Sequence, residues 1–221
     1  TGVIVSKMYV VDGSAGGTTG YVAYNHAYDP STNTWSTRAS DTTKRRYPAG
    51  GIIKSLFYVV DGYNINGDLA INHVYDPITN TWNTKASDIT KRVQAVAGSM
   101  NSKLYVVDGN GTKGSTHVPI AVNHAYDPST NTWSTKASDT KTRANIGTGV
   151  MSYTVAGTTV SKLFAVDGSG SKQSRLKLNH AYYPKSNIWS ARASDTTARN
   201  GVATGVIVSK MYVVDGSAGG T

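Results

Sequence analysis

Four histidines recur in one phrase, Asn-His-x-Tyr-x-Pro, at His26, His73, His124 and His180. Imidazoles in that number suit a zinc or copper centre. Each copy, however, falls in a different repeat unit, so the four rings are expected to be held apart. A structural role is expected, with the Asn and His side chains bonding to neighbouring backbone. His117 stands alone in a loop with no evident partner. Ser-Asp pairs recur as well, at Ser40-Asp41, Ser87-Asp88, Ser138-Asp139 and Ser194-Asp195. Ser, His and Asp are the residue types of a hydrolase, but no nucleophile-elbow phrase is present. All three belong to the repeated pattern, whereas a catalytic group is expected once per molecule. All 13 acidic residues are Asp and none is Glu, which removes mechanisms that need a Glu acid, base or ligand. The absence of Cys excludes disulfides, thiolate metal sites and a Cys nucleophile. The chain is expected to be non-enzymatic, with no catalytic residue, metal or cofactor.

The other chemistry-bearing group is basic. Lys and Arg number 22, for a net charge of +9. They gather by repeat, as Arg38, Lys44 and Arg45; Lys85, Lys91 and Arg92; Lys136, Lys141 and Arg143; Arg192 and Arg199. These residues flank the connection from one unit to the next and are expected to share one face, alternating with Asp. Such a face is a candidate for binding acidic glycans, against the plainer reading of a salt-bridged, solvated rim. No aromatic residues interleave the basic ones, so nucleic acid is not an expected partner.

What positions these residues is an internal repeat. A Tyr/Phe-x-Val-Asp-Gly phrase places Asp at 12, 61, 108, 167 and 215, in steps of 49, 47, 59 and 48. The Asn-His phrase follows, then Asn-x-Trp ending at Trp35, Trp82, Trp133 and Trp189, then Ala-Ser-Asp, then an Arg at 46, 92, 143 or 199. The 23 Gly, 14 Tyr and frequent Thr, Ser, Asn and Val favour strands and turns over helices. Each unit divides into four short strands, in the third unit at Val93 to Gly98, Lys103 to Val107, Ala121 to Tyr126 and around Thr132-Trp133-Ser134. The Asp-Pro-Ser-Thr-Asn phrase between the last two is a turn, with Pro presetting φ. A four-stranded sheet alone buries too little, so the sheets must stack. The packing set expected between them is Trp35, Trp82, Trp133 and Trp189 with Tyr28, Tyr75, Tyr126 and Tyr182.

Tyr105-Val106-Val107-Asp108-Gly109, Tyr126 to Trp133 and Arg143 together resemble the kelch motif, and the likeness recurs four times along the chain. It implies an all-β fold, a β-propeller of four-stranded antiparallel blades. The single domain, 1–221, would hold repeats at about 1–46, 47–92, 93–143 and 144–199 and a partial one at 200–221. Asp stands where the family's first Gly would be, a pair still suited to a tight turn. The fourth unit departs further, with Tyr183 for Asp, Ile188 for Thr and an insertion around 152–159. A kelch-like copper oxidase would need a Cys-modified Tyr, and a sialidase-like propeller would need Glu, so both fit poorly.

Residues 1–18 and 204–221 are identical, at an offset of 203. This suggests either a longer array or terminal strands that link neighbouring subunits. No signal peptide is read at Thr1 to Ile4, and no apolar run is long enough to span a membrane. A Cys-free chain rich in Thr, Ser, Asn and Gly suits a microbial cell surface or secreted location. The expected function is a structural or adhesive module of an extracellular surface protein or filament, partnered by itself or by other surface proteins. The alternative is a lectin-like or protein-binding propeller that uses the loop between the second and third strands, which varies most from unit to unit. Asn110-Gly111-Thr112 is a glycosylation sequon if the chain is secreted.

Overall fold

The structure is a computed structural model and describes residues 1–16 and 20–218. Four antiparallel sheets of four strands follow one another along the chain, each a simple meander. Sheet I holds β1 (Gly2–Ile4), β2 (Lys7–Ser14), β3 (Tyr21–Asp29) and β4 (Thr34–Arg38). Sheet II holds β5 (Ala49–Ile53), β6 (Leu56–Val60), β7 (Asn72–Asp76) and β8 (Thr81–Lys85). Sheet III holds β9 (Val96–Met100), β10 (Lys103–Val107), β11 (Asn123–Asp127) and β12 (Thr132–Lys136). Sheet IV holds β13 (Gly147–Val155), β14 (Thr158–Val166), β15 (Asn179–Tyr183) and β16 (Ile188–Ala191). A hairpin of β17 (Ala203–Ile207) and β18 (Lys210–Val214) follows.

The alternation within each second strand explains the stacking. Phe57 and Val59 of β6 face sheet I, where they meet Tyr9, Val11 and Ala27. Tyr58 and Val60 face the other way, against Leu104, Val106 and Tyr126 of sheet III. Tyr105 and Val107 repeat the arrangement against Leu163, Ala165 and Tyr182 of sheet IV. A strand buried on both faces is apolar along its length, as Leu56–Val60 of β6 and residues 104–107 of β10 are. The first strands, β1, β5, β9, β13 and β17, pack one against the next in that order. Their small residues permit it: a Cβ on Gly98 would lie 2.8 Å from Leu163 Cδ1.

Turn chemistry closes each meander. Tyr126 donates from its hydroxyl to Asn131 Oδ1 at 2.7 Å, and Ser129 N–H donates to Asp127 Oδ1 at 2.9 Å. Asn131 turns the chain with φ 54°, a conformation Asn tolerates. In sheet IV, Tyr183 replaces that Asp, so the equivalent carboxylate is lost. The insertion at 152–159 lengthens the β13–β14 hairpin, adding pairs from Ser152↔Ser161 to Val155↔Thr158.

Several expected strand limits shift. The first strand of the third unit begins at Val96 rather than Val93. Gln94 takes φ 59° and breaks the run, and Val93 instead exchanges backbone bonds with Asn110. The third strand begins at Asn123 rather than Ala121, because Val122 O accepts the Asp108 N–H at 2.7 Å. Trp82, Trp133 and Trp189 each donate an indole N–H at 2.7 Å to an Ala carbonyl of the preceding unit (Ala39, Ala86 and Ala137), as inter-sheet residues should. Tyr75, Tyr126 and Tyr182 are fully buried beside them. Trp35 and Tyr28 are exceptions. Trp35 is 56% exposed and Tyr28 half-buried, since no described sheet covers their side of sheet I.

Candidate functional site

The Asp of each Val-Val-Asp-Gly phrase sits in the left-handed region, as with Asp61 at φ 62° and Asp108 at φ 56°. The Asp-Gly pair forms the turn, and the carboxylate has a further use. Arg45 has no exposed surface and lies between two carboxylates, with Nε 2.7 Å from Asp12 Oδ2 and Nη2 2.6 Å from Asp41 Oδ2. Asp41 Oδ1 then meets His73 Nδ1 at 2.6 Å on the next sheet. The same chain of bonds runs Asp61, Arg92, Asp88, His124 and again Asp108, Arg143, Asp139, His180. The guanidiniums also donate to carbonyls of the following unit, as Arg45 Nη1 does to Asp61 O at 3.2 Å. Each relay joins two neighbouring sheets through groups that solvent barely reaches.

Two carboxylates around one guanidinium leave a surplus negative charge. Burial pushes the Asp12 carboxyl up to about 7, with Asp41 adding to the rise and the Arg45 charge opposing it. Asp61 and Asp108 are pushed well up by the same burial. Their Oδ1 atoms are buried without a hydrogen-bond partner among the described residues. Asp41 and Asp88 go the other way. Burial works to raise them, but bonds from His73 or His124 and the adjacent Arg charge outweigh it, holding both below the ordinary carboxylate value.

The expected basic binding face is therefore only partly present. Arg45, Arg92 and Arg143 have no exposed surface and cannot belong to it, because each is sealed between carboxylates. Arg199 pairs with Asp195 at 2.5 Å, its side chain 18% exposed. Lys44, Lys91, Lys141 and Arg192 are exposed, and Arg38, Lys85 and Lys136 half-buried. The aligned Arg of the first unit is Arg45, not Arg46. Arg46 instead lies over the rings of Tyr21, Tyr47 and Tyr63, at 5.3, 5.2 and 5.2 Å.

Three histidines of the Asn-His phrase, His73, His124 and His180, bond to carboxylates of the preceding unit rather than to backbone. The Asn side chains do bond to backbone, as Asn123 Nδ2 donates to Ala137 O at 3.2 Å. His117, expected to lack a partner, has Nε2 2.7 Å from Asp68 Oδ1, and Thr112 donates to the other oxygen of the same carboxylate at 2.5 Å. Sequence reasoning missed the relays, although the signal was there: Asp and Arg four residues apart at 41/45, 88/92, 139/143 and 195/199.

The variable loops border a cleft of about 690 Å³ lined by Gln94, Asn110, His117, Asn145, Ser169 and Asn200 among others. Its polar groups are mostly uncharged amides and hydroxyls, which can exchange hydrogen bonds with sugar hydroxyls. Tyr47, Gln94 and Asn145, at equivalent repeat positions, have φ between 54° and 59°. Gln94 N–H donates to Tyr47 O, Asn145 N–H to Gln94 O and Gly201 N–H to Asn145 O, a backbone ladder linking successive units.

No family model matches the chain, and no curated protein matches it. The chain is similar to the solved structure of YjhT, with a TM-score of 0.72 at 16% identity, over 95% of this chain and 69% of that one. That likeness is one of fold: an all-β chain of successive antiparallel four-stranded sheets.

Proposed function

We propose that this chain is a non-enzymatic structural and adhesive module, a kelch-like β-propeller segment whose setting is an extracellular surface protein or filament. One observation carries the reading. The Asp, Arg and His side chains that could do chemistry recur unit by unit and are taken up in bonds between sheets. What remains exposed is a repeated surface with Lys at like positions and loops that differ. Beads coated with the chain should hold under shear flow to a surface bearing acidic polysaccharide, while ester, glycoside and phosphoester substrates turn over at background rate. Beads that wash off at the lowest shear would overturn the reading. So would turnover that His73→Ala or Asp41→Asn abolishes in a chain that is still folded.

A second reading, a glycan-binding propeller, is supported by the loop-face cleft with its amide and hydroxyl lining. Exposed Tyr47, at the repeat position of Gln94 and Asn145, adds a ring, and the half-buried Arg46 beside it adds a charge. A glycan array tests it, with binding expected to fall when Asn145 or Asn110 is replaced by Ala. An array without hits at low and high salt removes this form.

A further inference from the structure

Three times in this molecule one unit offers an identical set of bonds to the next. Asp41, Asp88 and Asp139 receive His73, His124 and His180. The carbonyls of Ala39, Ala86 and Ala137 receive Trp82, Trp133 and Trp189. The N–H groups of the same alanines donate to Asn80, Asn131 and Asn187 at 2.8–3.0 Å. A fourth set exists in halves. Asp195 and Ala193 follow sheet IV in the positions of Asp41 and Ala39, and no described histidine reaches Asp195. His26, Trp35 and Asn33 occupy on sheet I the positions that His73, Trp82 and Asn80 hold on sheet II. The His26 ring makes no hydrogen bond among the described residues, and Trp35 is 56% exposed.

The hairpin after sheet IV shows how the halves meet. Residues 204–218 repeat residues 1–15. β2 and β18 therefore share a sequence, but β2 is paired along both edges while β18, among the described residues, pairs only with β17. In sheet I, β2 is matched to β3 as Met8↔Tyr28, Tyr9↔Ala27 and Val10↔His26. The open edge of β18 carries the same side chains, so it offers β3 of another copy the same register, Met211 to Tyr28 and Val213 to His26. Its outer face is open too. Tyr212 is 49% and Val214 52% exposed, where their counterparts Tyr9 and Val11 are 4% and 9%. A Cβ on Gly205 would meet nothing within 4 Å, whereas one on Gly2 would meet Ile52 and Phe57.

From this we infer that a second copy of this chain docks head to tail by strand exchange. β3 and β4 of the second copy pair onto β18, in place of that copy's own β1 and β2. The bonds within the sheet are unchanged by the exchange because the strands are identical. What is gained is the fourth inter-unit set, with His26 on Asp195, Trp35 N–H on Ala193 O and Asn33 on Ala193 N–H. Tyr212 then covers Tyr75 of the second copy, as Tyr9 does within one chain. An open row of strand N–H and C=O groups is a template for such pairing. The inference rests on the structural-module reading and gives that module its partner.

Sedimentation of the intact chain over a wide concentration range tests it. The wild type should associate into dimers and longer species. His26→Ala and Asp195→Ala should each weaken association by more than about tenfold, since each leaves one member of a buried pair alone. Mixed one to one, the two variants should form a dimer that does not extend, because the mixture holds one intact head and one intact tail. Trp35→Ala and Tyr212→Lys, both at exposed positions, serve as a second head and tail pair if either first variant is misfolded by circular dichroism. A wild type that stays monomeric at every concentration overturns the inference, and includes the case of a chain closing on itself. A mixture no more associated than its components also overturns it, since symmetric pairing gives that result. Beads that hold under flow although the chain stays monomeric would remove this interface and leave the module reading standing.

Discussion

Arg92 Nη2 lies 2.6 Å from Asp88 Oδ2, and neither side chain has any exposed surface. On the other side Arg92 Nε reaches Asp61 at 3.0 Å, so one guanidinium bridges two carboxyl groups. Replacing Arg92 by Ala removes the buried positive charge that both carboxyl groups face and leaves Asp88 only its bond with His124. The expected loss of folding stability is about 3–5 kcal/mol, read by urea denaturation. Arg92→Lys should recover only part of it, because an ammonium cannot bridge both carboxylates with a planar fork. A loss no larger than that of an exposed Lys44→Ala control would show the relay to be incidental.

The relays set a pH dependence whose sign follows from the two classes of carboxyl. Asp12 is raised from 3.8 to about 7 on folding, so its contribution is complete below about 3.8 and is lost as pH rises through about 7. Asp61 and Asp108 act in the same sense. Asp41 and Asp88, held low, stabilise above the ordinary carboxylate value and lose that effect as pH falls through their folded values. The thermal midpoint should therefore decline from about pH 5 to about pH 8. The decline should shrink in Asp12→Asn. A midpoint that climbs steadily over that range would contradict the assignment.

Equivalent tryptophans should respond unequally. Trp133→Phe removes the bond to Ala86 O and should cost about 1 kcal/mol beyond lost packing. Trp35→Phe should change stability by less than about 0.5 kcal/mol in the monomer, measured below the association range. Equal costs would mean that sheet I is covered on its outer side.

The glycines of the first strands make a similar pair. Gly98→Ala drives a methyl against Leu163 and Val150, at 2.8 and 2.7 Å, and should destabilise by about 1–3 kcal/mol. Gly205→Ala meets open space and should be close to neutral in differential scanning calorimetry. A costly Gly205→Ala would place something against the hairpin already in the single chain.

The strand pattern was readable because local chemistry decides it. Lys103–Val107 has the limits expected of it, since the Asn101-Ser102 turn and Asp108-Gly109 bound it on both sides. The fate of the charged residues was not readable in this way. Arg45 and Lys44 are neighbours in sequence, yet one is sealed and the other solvated, and the difference is made by the carbonyls of Val59 and Asp61 on the next sheet. Trp35 and Trp82 share a phrase and differ only in whether a sheet lies alongside. Neighbours distant in sequence decide both outcomes, and residue types alone carry no record of them. The left-handed positions at Tyr47 and Gln94 were hidden for a related reason, since the bond between them joins successive units.

The backbone ladder from Tyr47 through Gln94 and Asn145 to Gly201 uses one peptide group per unit and the same donor and acceptor each time. Its rungs do not depend on which side chains the units carry. A duplicated gene segment would therefore yield a protein whose added part already fits the old one. Growth by whole units needs no new fit to be found, while the tips of the loops remain at liberty to diverge.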